Sequence, residues 1–213
     1  MKLFYTPNSP YARIARVATL ELNLCVGVAR RRHRIEMQKV IARDPNSNLL
    51  NYNPTGKVPT LATDDGFILS ETRIICVYLN HLNPEMKLVA DISHGFLQQL
   101  EGMTGGFIDG IAVWVRELRR PLREQSPGVI EFERCLATSR FASTRALRIL
   151  DYFEKISDKL DQTPKLAHIT LASALGLEIR LLDLQWRQKY PKLAYWYDEF
   201  SKRPSMQVTI PES

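Results

Sequence analysis

Cysteine is scarce in this chain of 213 residues. Cys25, Cys76 and Cys135 are all there is, and no two lie close together. An odd, scattered set excludes a disulfide framework and a Cys-x-x-Cys redox centre, and it fits reduced thiols of a cytoplasmic protein. Histidine is as sparse: His33, His81, His94 and His168 lack the spacing of metal ligands, so no metal is expected. No apolar run approaches the ~18 residues that a bilayer span needs, so no membrane association is expected. Pro7 and Pro10 come too early for the apolar core of a secretion signal. The expected location is therefore the cytoplasm. Glycines and prolines are scattered rather than clustered, which excludes collagen-like and low-complexity architecture, and no internal repeat is present.

What is present is an ordinary globular composition, 45% hydrophobic and 24% charged, with length for one or two domains and a sizeable core. The net charge of +6 favours anionic ligands through its field. Part of the excess sits in Arg30-Arg31-Arg32-His33-Arg34. That run reads either as a phosphate or nucleic-acid patch or as a solvated strand edge. No aromatic stacking motif accompanies it, so nucleic acid is not an expected partner.

Lys2 to Tyr5 reads as a strand that ends at Thr6-Pro7-Asn8. Ser9-Pro10 then opens a helix, with Ser at the N-cap and Pro at the first position, where its missing N–H does no harm. Ile14, Val17 and Ala18 give that helix one buried face. A second strand is predicted within Val26 to Ile35, followed by a helical stretch from Glu36 to Ile41 and an Asn-rich loop from Asp44 to Asn53. Asn53-Pro54-Thr55-Gly56 is a turn, and Val58 to Leu61 is a strand whose Pro59 belongs at an edge or has special geometry. Asp64-Asp65-Gly66 turns the chain into Phe67-Ile68-Leu69. Ser70-Glu71-Thr72 starts a helix that carries Ile74, Ile75, Val77, Tyr78, Leu79 and Leu82. This alternation is an α/β module over residues 1–82.

Residues 83–90 read as a linker, and 91–213 as an all-helical bundle. Its predicted helices run from Phe96 to Leu118, from Val129 to Leu160, from Thr170 through Leu182, and from Pro191 to Arg203. Pro121 to Pro127 is a loop. Gly102, Gly105, Gly106 and Gly110 weaken the first of these helices and open room for a close neighbour.

At this point the chain resembles the cytosolic glutathione transferase superfamily, with its thioredoxin-like N-terminal domain and all-α C-terminal domain. Tyr5-Thr6-Pro7-Asn8-Ser9-Pro10-Tyr11 resembles the turn that holds the family's catalytic residue. Asn53-Pro54-Thr55-Gly56-Lys57-Val58-Pro59-Thr60-Leu61 resembles its glutathione-binding loop. Leu69-Ser70-Glu71-Thr72-Arg73-Ile74-Ile75 resembles its Glu-Ser helix start, with Thr72 where Ser is commoner. Tyr190-Pro191-Lys192-Leu193 through Arg203-Pro204 resembles its last helix. The nearest flavour is the bacterial serine-type, theta/nu-like group. Two stretches depart from the pattern: Cys25 to Val28 replaces a Gly-Leu-Pro-type link, and Thr170-Leu171-Ala172-Ser173 has Ser where the late helix's capping box has Asp.

The resemblance implies glutathione as co-substrate and its thiolate as nucleophile. A free thiol titrates near pH 8.5, so a donor aimed at the sulfur is needed for thiolate at neutral pH. One hydrogen bond to the anion, worth ~1.5–3 kcal/mol, lowers that value by roughly one to two units. Ser9 is the implied donor, with capping alone as the plainer alternative and Tyr5 as the rival hydroxyl. Cys is absent from positions 9 and 10, which argues against mixed-disulfide chemistry and leaves conjugation, isomerisation and peroxide reduction open. Pro59 is implied to be cis, turning the Val58 backbone to the cysteinyl part of glutathione. Glu71 and Thr72 are implied to hold the γ-glutamyl end, or else simply cap a helix. Lys57 is the candidate for the glycyl carboxylate, with Lys39 and Arg43 behind it. Tyr11, Phe107, Ile111 and Trp114 are candidate walls for a hydrophobic electrophile, or core residues. Asp109 and Arg116 share that helix without an assigned role. A homodimer is also implied. The competing class is a non-catalytic binding protein on the same fold, similar to the stringent starvation protein.

Overall fold

The computed structural model of the chain describes residues 1–25, 34–118, 129–180 and 186–212. Its first strand, β1 (Lys2–Tyr5), runs parallel to β2 (Glu36–Lys39) and antiparallel to β3 (Thr60–Ala62). A fourth strand, β4 (Ile68–Ser70), pairs antiparallel with β3, giving the sheet order β2-β1-β3-β4. Successive side chains face opposite ways along a strand, and the core divides accordingly. Leu3 and Leu61 join Ile14, Val17 and Ile75 on one face, whereas Phe4 and Ala62 join Val40 and Leu49 on the other. The first face is covered by α1 (Pro10–Glu21) and α2 (Thr72–Leu82). Ile74 and Val77, expected with the core on α2, are exposed.

The sequence reading missed β2 by one element. Glu36 to Lys39 is strand, not helix, and Ile35 adds an isolated bridge to Cys25. Residues 26–33, including most of the arginine run, lie outside the described residues. Glu-Met-Gln-Lys carries good helix formers, but β2 is an edge strand that pairs with β1 alone. Only Ile35 and Val40, just outside it, are fully buried, while Glu36 and Lys39 face solvent. Pairing with β1 overrides local propensity here.

The helical layer contains α3 (Gly95–Leu118), α4 (Val129–Lys155), α5 (Leu166–Leu175), α6 (Trp186–Lys189), α7 (Pro191–Ser201) and α8 (Pro204–Gln207). The helix α3 persists through its glycines and packs on both α4 and α5, and α5 packs on α1. Two boundaries differ from expectation. The long helix stops at Lys155, with a short turn at Ser157–Lys159 instead of continuing to Leu160. The next begins at Leu166, four residues before Thr170, so Thr170 and Ser173 lie inside a helix and do not cap it. All ten residues of α5 are buried. A helix buried all round carries no 3.6-residue apolar stripe to mark its start. Leu182 and the loop predicted at Pro121 to Pro127 lie outside the described residues.

Candidate functional site

The register places the three expected binding segments at one end of the sheet. Phe4 pairs with Thr60, and Thr60 pairs with Ser70. The chain leaving β1 toward Ser9, the chain entering β3 through Val58–Pro59 and the chain leaving β4 into Glu71 therefore converge at the same edge.

Ser9 is the N-cap of α1, with Pro10 at the first helical position. Its Oγ accepts the Ala12 N–H at 3.2 Å. Accepting uses a lone pair and leaves the hydroxyl proton to donate outward. The N-terminal end of a helix adds a dipole that favours an anion there. The rival hydroxyl, Tyr5, has its ring covered by the Arg16 guanidinium, 4.3 Å from the centroid.

The Val58–Pro59 bond is cis, as the sequence reading expected. The Val58 N–H and C=O make no hydrogen bond among the described residues. The loop that presents them is built by Asn53, which is buried. Asn53 Nδ2 donates to Thr60 Oγ1 at 2.8 Å and to the Lys57 carbonyl at 3.4 Å. Its Oδ1 accepts the Thr55 N–H at 3.0 Å and the Thr55 hydroxyl at 2.8 Å. Thr60 completes the loop by donating to the Lys57 carbonyl at 2.8 Å. Gly56 turns the chain at φ +62°, a conformation L side chains rarely adopt. Lys57 itself is exposed.

Glu71 is a non-glycine residue at φ 68°, ψ 126°. Such backbone strain costs of order 1–3 kcal/mol and is a mark of functional sites. No side chain caps α2, so its first amides are left without a side-chain acceptor at the end of the sheet where β4 runs into Glu71. Lys39 is taken up by Glu212 at 2.7 Å, while Arg43 is exposed.

Of the four residues that could be pocket wall or core, two are plainly core. Phe107 and Ile111 are fully buried, and Phe107 packs edge-on against Phe153 in the helical core. On a helical projection of α3 they lie opposite Asp109 and Arg116. Trp114 is partly buried on the flank of that same core. The sequence could not separate the two faces, because Gly, Ala and Val occupy most of the outer one. Tyr11 does reach across: its hydroxyl donates to Asp109 at 2.6 Å. Burial, and then this donation to a carboxylate, raises the phenol above its ordinary value, so Tyr11 stays protonated and is no base. Asp109 thereby gains the role that sequence alone did not give it.

Cys25 and Cys76 are free thiols, and no His, Cys, Asp and Glu cluster suited to a metal occurs among the described residues. No described helix is long and apolar enough to cross a membrane.

A family model described as "Glutathione S-transferase, N-terminal domain" matches residues 3–87. The chain is 27% identical to the uncharacterized GST-like protein YibF of Escherichia coli, over 99% of this chain and 98% of that protein. A glutathione S-transferase from Methylobacillus flagellatus, solved with glutathione bound, is 30% identical with a TM-score of 0.81, covering 99% of each chain. A glutathione transferase family member from Pseudomonas fluorescens, also with bound glutathione, matches at 30% identity and a TM-score of 0.81 over 100% of this chain and 99% of that one. With the thioredoxin-like sheet, the helical layer and these full-length likenesses together, the chain belongs to the glutathione S-transferase family.

Proposed function

We infer that the protein is a glutathione transferase of the serine type: the Ser9 hydroxyl donates a hydrogen bond to the ionised glutathione sulfur, and the thiolate so stabilised attacks an electrophilic carbon. The observation that carries this reading is the Ser9 hydroxyl, capping α1 as an acceptor with its proton unspent among the described residues, at the end of the sheet where Val58 offers an N–H and C=O that those residues leave unpaired. In this reading Val58 pairs with the cysteinyl backbone, the open start of α2 takes the γ-glutamyl carboxylate, Glu71 takes its ammonium and Lys57 the glycyl carboxylate. The solved relatives that hold glutathione support the choice of co-substrate. The electrophile enters beside Tyr11, with Phe107 and Ile111 now set behind the wall rather than in it. Exposed Phe67, Ile74, Val77 and Met103 support a homodimer, which sedimentation at micromolar protein tests. No covalent protein intermediate is needed: the thiol proton leaves to solvent on ionisation, and the S–C bond then forms as the leaving group departs with its electron pair, or, in an addition, as the resulting carbanion takes a proton from water.

Glutathione titration followed by melting temperature tests binding, because a ligand of the native state alone must raise it. Ser9→Ala should then cut conjugation of 1-chloro-2,4-dinitrobenzene by about 10- to 100-fold, the loss of one charged hydrogen bond. Unchanged turnover in Ser9→Ala would refute the serine assignment. No thermal shift at millimolar glutathione would favour the non-catalytic binding protein instead.

A further inference from the structure

The helix that carries Ser9 is gripped along one side by the end of the chain. Arg13, 3% exposed, donates to the Met206 carbonyl at 3.2 Å and reaches Thr209 Oγ1 at 3.5 Å. Arg16 donates to the Val208 carbonyl at 3.4 Å. At the far end of α1, Arg203 forks onto Glu21 at 2.9 and 2.8 Å, and the Ser205 hydroxyl bonds to the same carboxylate. Gly176 closes the pocket behind Arg13: a Cβ there would stand 2.5 Å from the guanidinium and 3.0 Å from the Tyr197 hydroxyl.

Arg13 has no carboxylate in ion-pair range among the described residues. A buried cation without one costs free energy, and an apolar side chain of similar size would avoid that cost. What the guanidinium supplies instead is direction, a planar set of donors fixed against a backbone carbonyl and a threonine hydroxyl. This use fits a helix whose tilt matters more than its stability.

We propose that Arg13, with the segment from Arg203 to Thr209, is a positioning clamp that fixes the tilt of α1 and so sets the reach of the Ser9 hydroxyl to the glutathione sulfur. The inference rests on the serine reading above. Ser9 cannot move independently of α1, because its Oγ is bonded to the Ala12 N–H at 3.2 Å and its carbonyl to the Arg13 N–H at 2.9 Å. Twelve residues make α1 about 18 Å long. A tilt of about 5° pivoted at Glu21 would move the hydroxyl about 1.5 Å, enough to break a hydrogen bond that tolerates only about 0.5 Å of stretch. Arg13 is therefore a positioning residue and touches no substrate.

The test is an ultraviolet titration of the thiolate in the complex of the full-length protein with glutathione, run on Ser9→Ala, Arg13→Lys, Thr209→Val and the control Lys202→Ala. Thr209→Val is nearly isosteric and keeps the fold within reach if Arg13→Lys does not. The expected result is a thiolate fraction at pH 7 lowered about threefold or more in both clamp variants, with kcat reduced, KM for glutathione little changed and the control unaffected. Clamp variants that melt earlier yet titrate like the wild type would overturn the clamp and leave the serine reading standing, provided Ser9→Ala itself loses thiolate. A wild-type titration in Ser9→Ala would remove the serine reading and the clamp with it.

Discussion

Replacing Gly176 by alanine sets two known effects against each other, and the structure decides between them. Gly176 has an ordinary right-handed conformation, φ −64° and ψ −8°, so no strain forbids a side chain. On backbone grounds alone, alanine should stabilise a helical position by up to about 1 kcal/mol. The added Cβ, however, would stand 2.5 Å from Arg13 Nη1 and 3.0 Å from the Tyr197 hydroxyl. Arg13 is a flexible side chain in principle, but it is 3% exposed and bonded to Met206 and Thr209, so it has nowhere to retreat. Overpacking of this kind costs about 1–3 kcal/mol. The net expectation is a loss of about 1–2 kcal/mol, or a melting temperature lowered by roughly 2–6 °C for a chain of this length. Differential scanning calorimetry of Gly176→Ala beside Gly105→Ala provides the comparison, since a Cβ at Gly105 meets nothing within 4 Å and should be neutral or stabilising by up to about 1 kcal/mol. In the double variant with Tyr197→Phe, one of the two collisions disappears, so the losses should be less than additive. A Gly176→Ala protein as stable as the wild type would refute the packing argument.

Three further outcomes are expected. Burial pushes the Glu21 carboxyl up, but the hydrogen bonds from Arg203 and Ser205 outweigh it and hold it below its usual value. Its stabilisation is then complete above the unfolded pKa of about 4.3 and fades as pH falls through the folded one; urea melts of Glu21→Gln should show a deficit of about 1.5–3 kcal/mol at pH 7 that shrinks below pH 4. The Cys76 thiol is fully buried, and burial together with Glu101 pushes it up to about 12, so Ellman's reagent should leave Cys76 untouched until denaturant is added; reaction in native buffer would contradict the packing of α2. Tyr11→Phe loses one hydrogen bond to the Asp109 carboxylate and should lower stability in thermal melts by up to about 1.5–3 kcal/mol; an unchanged melt would show that the pair adds nothing.

Legibility in the sequence followed locality. Ser9 and Pro10 were readable because a cap and a first-turn proline are signals between neighbours, and the structure shows that cap with its Ala12 bond. The turns at Asn53 and Gly66 were readable for the same reason. The strand at Glu36 was not, because only its pairing to β1 makes those four residues extended. The start of α5 was hidden because every one of its residues is buried, which removes the contrast that periodicity needs. On α3 the side chains that pack and those that face out could not be told apart, so Phe107 and Ile111 stayed candidates for either wall or core until the structure buried them. No local signal in the sequence marks Arg13, because its partners Met206 and Thr209 lie 193 and 196 positions further along.

Those separations also order events during synthesis. The first helix leaves the ribosome well before the groups that satisfy its buried guanidinium, which are made 193 and 196 residues later, and the Glu21 carboxylate meets Arg203 only 182 residues later. Contacts this distant in sequence are slow to form, because the loop must close before they contribute. A nascent chain that has completed its sheet is therefore still short of its final shape until the segment from Arg203 to Thr209 has emerged.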